Sequence, residues 1–313
     1  MSFEREKIKQ QFGTLAGLGV FIGTSSWKYP GWVGMLYEEQ RYLTRGKVSK
    51  RKLEDNCLPE YAQVFKTVCV DGAYYKFPTR EYLRNLAADV PEDFQFGFKV
   101  TDEITIKRFP NVPESGTRAG KLNENFLNAD LFASAFLKPC EEIRHNIGIL
   151  MFEFSRFYPG EYQHVAEFVA DLGRFFEALP KGWPYGVELR NQDWLKPEYL
   201  DCLRRNGITH VFNNWEAMPP VIEQLEIPGA RTNENLVAAR FLLKPGRAYN
   251  AAVKRFHPYA RVQEVNPEAR AAGKKLISEG KAAGAKKKTF IYVNNRLEGN
   301  ALETISAMLE DEA

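Results

Sequence analysis

The stretch Tyr185-Gly186-Val187-Glu188-Leu189-Arg190-Asn191-Gln192-Asp193-Trp194 decides how the rest of the chain is read. Its apolar residues predict a short buried strand, yet Glu188 and Arg190 stand at its end. Side chains two apart on a strand share a face. A carboxylate and a guanidinium on one face of a buried strand must be paired, solvated or in use, because an unpaired buried charge costs too much.

Working outward, eight segments read as strands: 19–24, 67–70, 94–100, 147–154, 185–190, 208–212, 236–243 and 288–293. Segment 94–100 alternates cleanly, with Phe94, Phe96 and Phe98 on one face and Gln95, Gly97 and Lys99 on the other. Between the strands, helical character is predicted over 52–65, 79–88 (capped by Thr79), 121–140, 162–179, 197–205 (stopped by Asn206-Gly207), much of 250–284, and 301–309. Strand–helix alternation implies parallel pairing, and eight units in 313 residues predict an α/β fold, a single-domain (β/α)8 TIM-like barrel over 19–313 behind a polar lead-in at 1–18. A doubly wound open sheet is the alternative. The barrel is preferred because polar residues stand at the carboxyl ends of nearly all the strands, and in a barrel those ends meet at one mouth.

Lys+Arg 43 against Asp+Glu 40 leaves a net charge of +3, so charge alone does not call for nucleic acid. Two basic runs, 45–52 and 281–288, read as solvated loops or helix ends. Cys57, Cys69, Cys140 and Cys202 are scattered without a C-x-x-C pair, so neither a zinc ribbon nor a redox motif is signalled. The charged residues 1–11 lack the apolar core of a signal peptide, and no apolar run is long enough to span a bilayer. A cytoplasmic protein without a membrane partner is expected.

At the predicted mouth stand Trp27, Asp71, Tyr74, Lys99, Glu153, Glu188, Arg190, Trp194, Asn213, Arg240, Asn294 and Asn295. Lys99, Arg190 and Arg240 come from three strands and together suit an anion such as a phosphate or carboxylate. Glu188, Asp71 and Glu153 are the candidate proton carriers, with Lys99 beside them. The plainer alternative is that these six charges neutralise one another inside the barrel. Trp27, Tyr74 and Trp194 offer flat walls for a sugar or base, or else cover the core at the rim. Asn294 and Asn295 offer donors and acceptors, or else cap the following helix. The four histidines, His145, His164, His210 and His257, give weak support for a metal and no cofactor is expected, although an oxygen-rich Mg²⁺ site from Asp71 and Glu188 stays open. No G-x-G-x-x-G, P-loop or G-x-S-x-G occurs.

Gly23-Thr24-Ser25-Ser26-Trp27, Val187-Glu188-Leu189-Arg190 with Trp194, and Asn294-Asn295 followed by Glu298-Gly299-Asn300-Ala301 resemble the DUF72 (YecE-like) family in order and spacing. The resemblance runs from about Gly19 to the last helix. It implies a TIM barrel of unassigned biochemical function. The chain departs from the family's usual pattern at Cys69 and Asp71, where Glu and then Asn are usual. It departs again at Glu153-Phe154-Ser155 in place of Gln-x-Pro, at Asn213 in place of Asp, and at Leu242-Leu243 in place of His-Gly. The mouth keeps a mixed charge but redistributes it.

The leading functional expectation is an enzyme, a hydrolase or isomerase, that binds a small anionic, sugar-phosphate-like ligand at the mouth. Arg190, Arg240 and Lys99 would hold the anion, with acid/base chemistry by Glu188 partnered by Asp71 or Glu153. The alternatives are a nucleic-acid-binding protein, on the two basic runs and the aromatics, and a non-catalytic barrel with internal ion pairs. Oligomeric state is not legible.

Overall fold

The structure is a computed structural model that describes residues 3–158 and 160–310. The outermost residues of the expected lead-in (1–2) and of the expected barrel domain (311–313) lie outside that range. Eight parallel strands close into a barrel: β1 (Val20–Thr24), β2 (Thr67–Val70), β3 (Gln95–Lys99), β4 (Ile147–Phe154), β5 (Tyr185–Leu189), β6 (Thr209–Asn214), β7 (Leu236–Phe241) and β8 (Lys288–Val293). The strands follow one another round the barrel in chain order, and β1 closes it by pairing with β8 along its whole length and with β2 at Thr24–Val68. This is the (β/α)8 architecture expected from the strand–helix alternation.

Side-chain alternation builds two cores. Outward-facing residues such as Phe94, Phe96, Phe98, Val187 and Leu189 pack against the helices. Inward-facing Phe21, Cys69, Ile149, Met151, Val211, Ala238, Phe290 and Tyr292 fill the barrel's lower interior. Two glycines make that filling possible: a Cβ at Gly97 would strike the Tyr292 ring and hydroxyl, and one at Gly148 the Phe290 ring. The helix Arg5–Gly17 (α1) buries Ile8, Phe12 and Leu15, and its Ala16 packs against the interior cluster. The interior is therefore apolar below, and whatever polarity the strands carry inward is concentrated above it.

Local signals behave as their chemistry dictates. The Thr79 hydroxyl accepts from the Tyr82 N–H at the start of Arg80–Ala88, and Gly207 takes a φ of 68° just past Pro197–Arg205. The helix expected over 121–140 is corrected: its regular part begins at Ala129–Leu131 and continues as a π-helical stretch, Phe132–Leu137. Residues 121–128 are a loop because asparagines compete for the backbone there. The Asn123 amide donates to the Glu103 and Ile106 carbonyls at 2.7 and 2.8 Å, Leu127 adopts a φ of 55°, and Asn128 caps the helix through the Leu131 N–H. Among the described residues, no helix is long and apolar enough to cross a membrane.

One seam of the barrel is loose. β5 and β6 pair only at Gly186–Thr209 and Val187–His210. Above that, the Asn213 side chain bridges the strands by donating to the Leu189 carbonyl at 3.1 Å. Arg190, just past β5, emerges beside this seam.

Candidate functional site

Glu153 and Glu188 lie on one rung, paired across β4 and β5. Both are enclosed, Glu188 at 0% exposure and Glu153 at 2%. Two carboxylates side by side without water persist only if cations are brought to them. The barrel supplies three. Lys99 from β3 reaches Glu153 Oε2 at 2.9 Å, Arg190 reaches the same oxygen at 2.7 Å, and Arg240 from β7 reaches it at 2.9 Å. Arg190 Nε also donates to Glu188 Oε1 at 3.0 Å, and Arg240 donates to Glu188 Oε2. Asp71, just past β2, lies 3.9 Å from Lys99 and 3.8 Å from Arg240 Nη2. Six charges from five strands thus form one balanced network, three of each sign.

The protonation states follow from this packing. Burial pushes the Glu153 carboxyl up, but Arg190, Lys99 and Arg240 outweigh it and hold the group well below the usual carboxylate range. Burial likewise opposes the charges of Lys99 and Arg240, and the surrounding carboxylates, Glu153 first for Lys99 and Glu188 first for Arg240, more than restore them. Two aromatic faces close the network from above. The Tyr74 ring lies 3.8 Å from Lys99 Nζ, and the Trp215 ring 3.6 Å from the Arg190 guanidinium. Burial pushes the Tyr74 phenol up to about 12.

The remaining residues expected at the mouth take no part in the charge network. Trp27 is 6% exposed and part of the outer core, with its Nε1 unpartnered. Trp194 stacks on Phe157 at 5.2 Å and packs against Phe168. Asn213 bridges strands, with its Oδ1 unpartnered. Asn294 accepts from the Arg296 N–H. Asn295 accepts from Trp32 Nε1 at 3.3 Å and from the Ala301 N–H at 2.7 Å, at the start of the helix Ala301–Leu309, whose N-cap is Asn300. The Mg²⁺ pairing weighed for Asp71 and Glu188 meets an obstacle. Arg240 contacts both carboxylates, so a guanidinium stands where the cation would go. No group of three or more metal-ligating side chains occurs among the described residues.

Beside the network, a cleft of 550 Å³ opens between the loops after β3, β4 and β6. Lys107, Arg108, Arg156, Phe157, Arg190 and Trp215 line it. Its one lining acid, Glu161, accepts from the Tyr158 N–H at 2.7 Å. Of the six network residues, Arg190 alone reaches this cleft. Sequence reasoning missed Lys107, Arg108, Arg156 and Trp215. The signal for Trp215 was its place directly after Asn213-Asn214 at a strand end; the other three sit in irregular loops, where periodicity is silent. A larger groove of 780 Å³ lies on the barrel's flank, between α1, Pro267–Ala283 and Ala301–Leu309, and touches none of the network.

Residues 21–312 match the family model described as "Protein of unknown function DUF72". The chain belongs to the DUF72 family. Among solved structures it is similar to a DUF72 family protein of Enterococcus faecalis V583, at 22% identity and a TM-score of 0.60, over 94% of this chain and 97% of that one. It is also similar to a DUF72 family protein of Thermotoga maritima MSB8, at 19% identity and a TM-score of 0.58, over 93% of this chain and 99% of that one. At these identities the likeness establishes a shared fold. No curated protein matches the chain. The resemblance carried by the GTSSW stretch, the VELR stretch and the Asn294-Asn295 region therefore identifies the DUF72 family and its barrel, while the chemistry rests on the site itself.

Proposed function

We propose that this DUF72 barrel binds a small anionic, polar ligand at its mouth, with the anionic group in the cleft beside Arg190. The carrying observation is the position of Arg190. It is locked from beneath by Glu153 and Glu188, covered on one face by Trp215, and open to a cleft that also holds Lys107, Arg108 and Arg156. A guanidinium fixed in this way loses little freedom on binding an anion. The network itself is charge-balanced, so the surplus positive charge that attracts the ligand belongs to the cleft.

This placement reassigns the acids. Glu188 has no exposed surface and both of its oxygens are taken by guanidiniums, so its role is to position Arg190 and Arg240 rather than to move protons. Asp71 keeps 37% of its side chain exposed, whereas Glu153 and Glu188 are enclosed, which makes it the network acid placed for proton transfer. Catalysis of hydrolase or isomerase type would run through Asp71. The run 281–288 leads into the amino end of β8, away from the mouth, which favours a small ligand over nucleic acid. Four free, buried cysteines accord with a reducing cytoplasm.

Calorimetric titration of the protein with inorganic phosphate tests the reading. Saturable binding that weakens in the exposed-residue variant Arg156→Gln supports it. Absence of binding, or binding indifferent to Arg156, sinks it.

A further inference from the structure

The mouth has a second side, and its chemistry is different. Opposite the cationic cleft stand Asp71 past β2, Ser25 past β1 and Asn294 past β8, on the strand faces that lower down carry Cys69, Phe21 and Tyr292 into the interior. Here the protein does not satisfy its own polar atoms. Ser25 Oγ, Arg240 Nε and Asp71 Oδ1 are each enclosed and without a hydrogen-bond partner. They form a mixed set: a hydroxyl that donates and accepts, a guanidinium N–H that donates, and a carboxylate oxygen that accepts. An anion would meet Asp71 here, and a metal ion would meet Lys99 and Arg240. A neutral hydroxyl, which both donates and accepts, suits all three.

Two exposed rings flank the same side. Tyr75 is 74% exposed and stands edge-on to Tyr74 at 5.3 Å, and Tyr74 in turn covers Lys99. Tyr249 is 43% exposed, with its ring 4.6 Å from the Arg296 guanidinium and 6.4 Å from Trp215. Lys99, beneath Tyr74, lies 3.9 Å from Asp71, and Arg296, two residues past Asn294, holds Tyr249, so one ring is tied to Asp71 past β2 and the other to the end of β8. An exposed tyrosine offers an apolar ring face together with a polar hydroxyl. A sugar ring presents C–H faces to such rings and hydroxyls to polar atoms at its edge.

We infer that the side of the mouth formed by Ser25, Asp71, Arg240, Tyr75 and Tyr249 is a sugar-ring subsite, so that the ligand is a phosphorylated sugar with its anion in the Arg190 cleft and its hydroxyls toward Asp71. The inference rests on the anion reading and narrows it to a substrate class. Asp71 then sets specificity as well as standing nearest the ligand's hydroxyls.

Titrating the full chain with ribose 5-phosphate, glucose 6-phosphate and inorganic phosphate separates the two claims. At least one sugar phosphate is expected to bind about tenfold or more tightly than phosphate. The double variant Tyr75→Ser/Tyr249→Ser, at exposed positions that leave the core intact, is expected to erase that advantage while phosphate affinity does not fall. Asp71→Asn is expected to erase most of it. Equal affinity for the sugar phosphates and phosphate in the unmodified protein, or an advantage that survives both variants, overturns the sugar subsite and leaves the anion site standing. If neither phosphate nor the sugar phosphates bind, both readings fall together.

Discussion

The buried network and the open cleft are made of the same residue types and share Arg190, yet they are built on opposite rules. In the network each charge is matched, Lys99, Arg190 and Arg240 against Asp71, Glu153 and Glu188. In the cleft Lys107, Arg108 and Arg156, beside the already paired Arg190, face a single lining acid, Glu161. Matched charges out of water hold a structure in register, and unmatched charges at a surface recruit a partner. Clustering of ionisable groups therefore does not by itself locate chemistry. Their balance and their access to solvent are what separate a strut from a binding site.

The sharpest way to break this distinction is Glu188→Gln. With the carboxylate gone, Arg190 and Arg240 keep their charge in an enclosed space, which is expected to cost about 3–5 kcal/mol of stability. Urea denaturation checks it. A loss under about 1 kcal/mol would mean the network is not a structural element. Taken from the sequence alone, Glu188 is a candidate proton carrier; its burial between two guanidiniums is the ground for proposing a strut instead.

A second test uses pH. Glu153 is held below its ordinary value of 4.5, so the unfolded chain takes up a proton there before the folded one does. Its contribution is fully present above that ordinary value and is lost as pH falls toward the depressed one. The stability gap between the unmodified protein and Glu153→Gln is therefore expected to be flat from about pH 6 to 8 and to narrow steadily below about pH 4.5. Lys99 is displaced the other way, so its contribution fades only as pH rises beyond its ordinary 10.5. A gap that widens on acidification would contradict the assignment of Glu153 as the network's ionised centre.

The cleft predicts the converse pattern. Arg156 is exposed, and Arg156→Gln is expected to change stability by no more than about 0.5 kcal/mol while weakening phosphate binding roughly tenfold. The contrast sharpens if the loss shrinks in high salt, since an exposed cation acts through a screened field.

Much of the fold was legible because it is periodic. Alternation put Phe94, Phe96 and Phe98 on one side and Lys99 on the other, and polar residues at the strand ends pointed to a common mouth. The loop at 121–128 was not legible, because its apolar spacing imitates a helix while Asn123 and Asn128 spend their side chains on backbone groups. At the site, the identities of the six network residues could be read from strand ends, and their mutual neutralisation stood as the plainer alternative. Which of them would reach a cleft could not be read, because that depends on the loops carrying Lys107, Arg156 and Trp215. Loop paths follow from local hydrogen bonds and packing, and no period in the sequence records them.

The smallest expected effect comes from Trp215, where the two regions meet. Its ring lies on the Arg190 guanidinium from the solvent side while the carboxylates hold the same group from within. Replacing it by Leu keeps apolar cover but removes the ring's electron-rich face, worth about 0.5–1 kcal/mol at a partly exposed site. If Trp215 serves the network, Trp215→Leu lowers stability by that amount and leaves phosphate affinity alone. If it serves the cleft, by keeping Arg190 aimed at the anion, the same energy disappears from binding and the denaturation midpoint hardly moves. The carboxylates already fix Arg190 through three contacts shorter than about 3.1 Å, so the ring adds little to holding it. The loss is therefore expected in binding, and a loss confined to stability would assign Trp215 to the strut instead of the site.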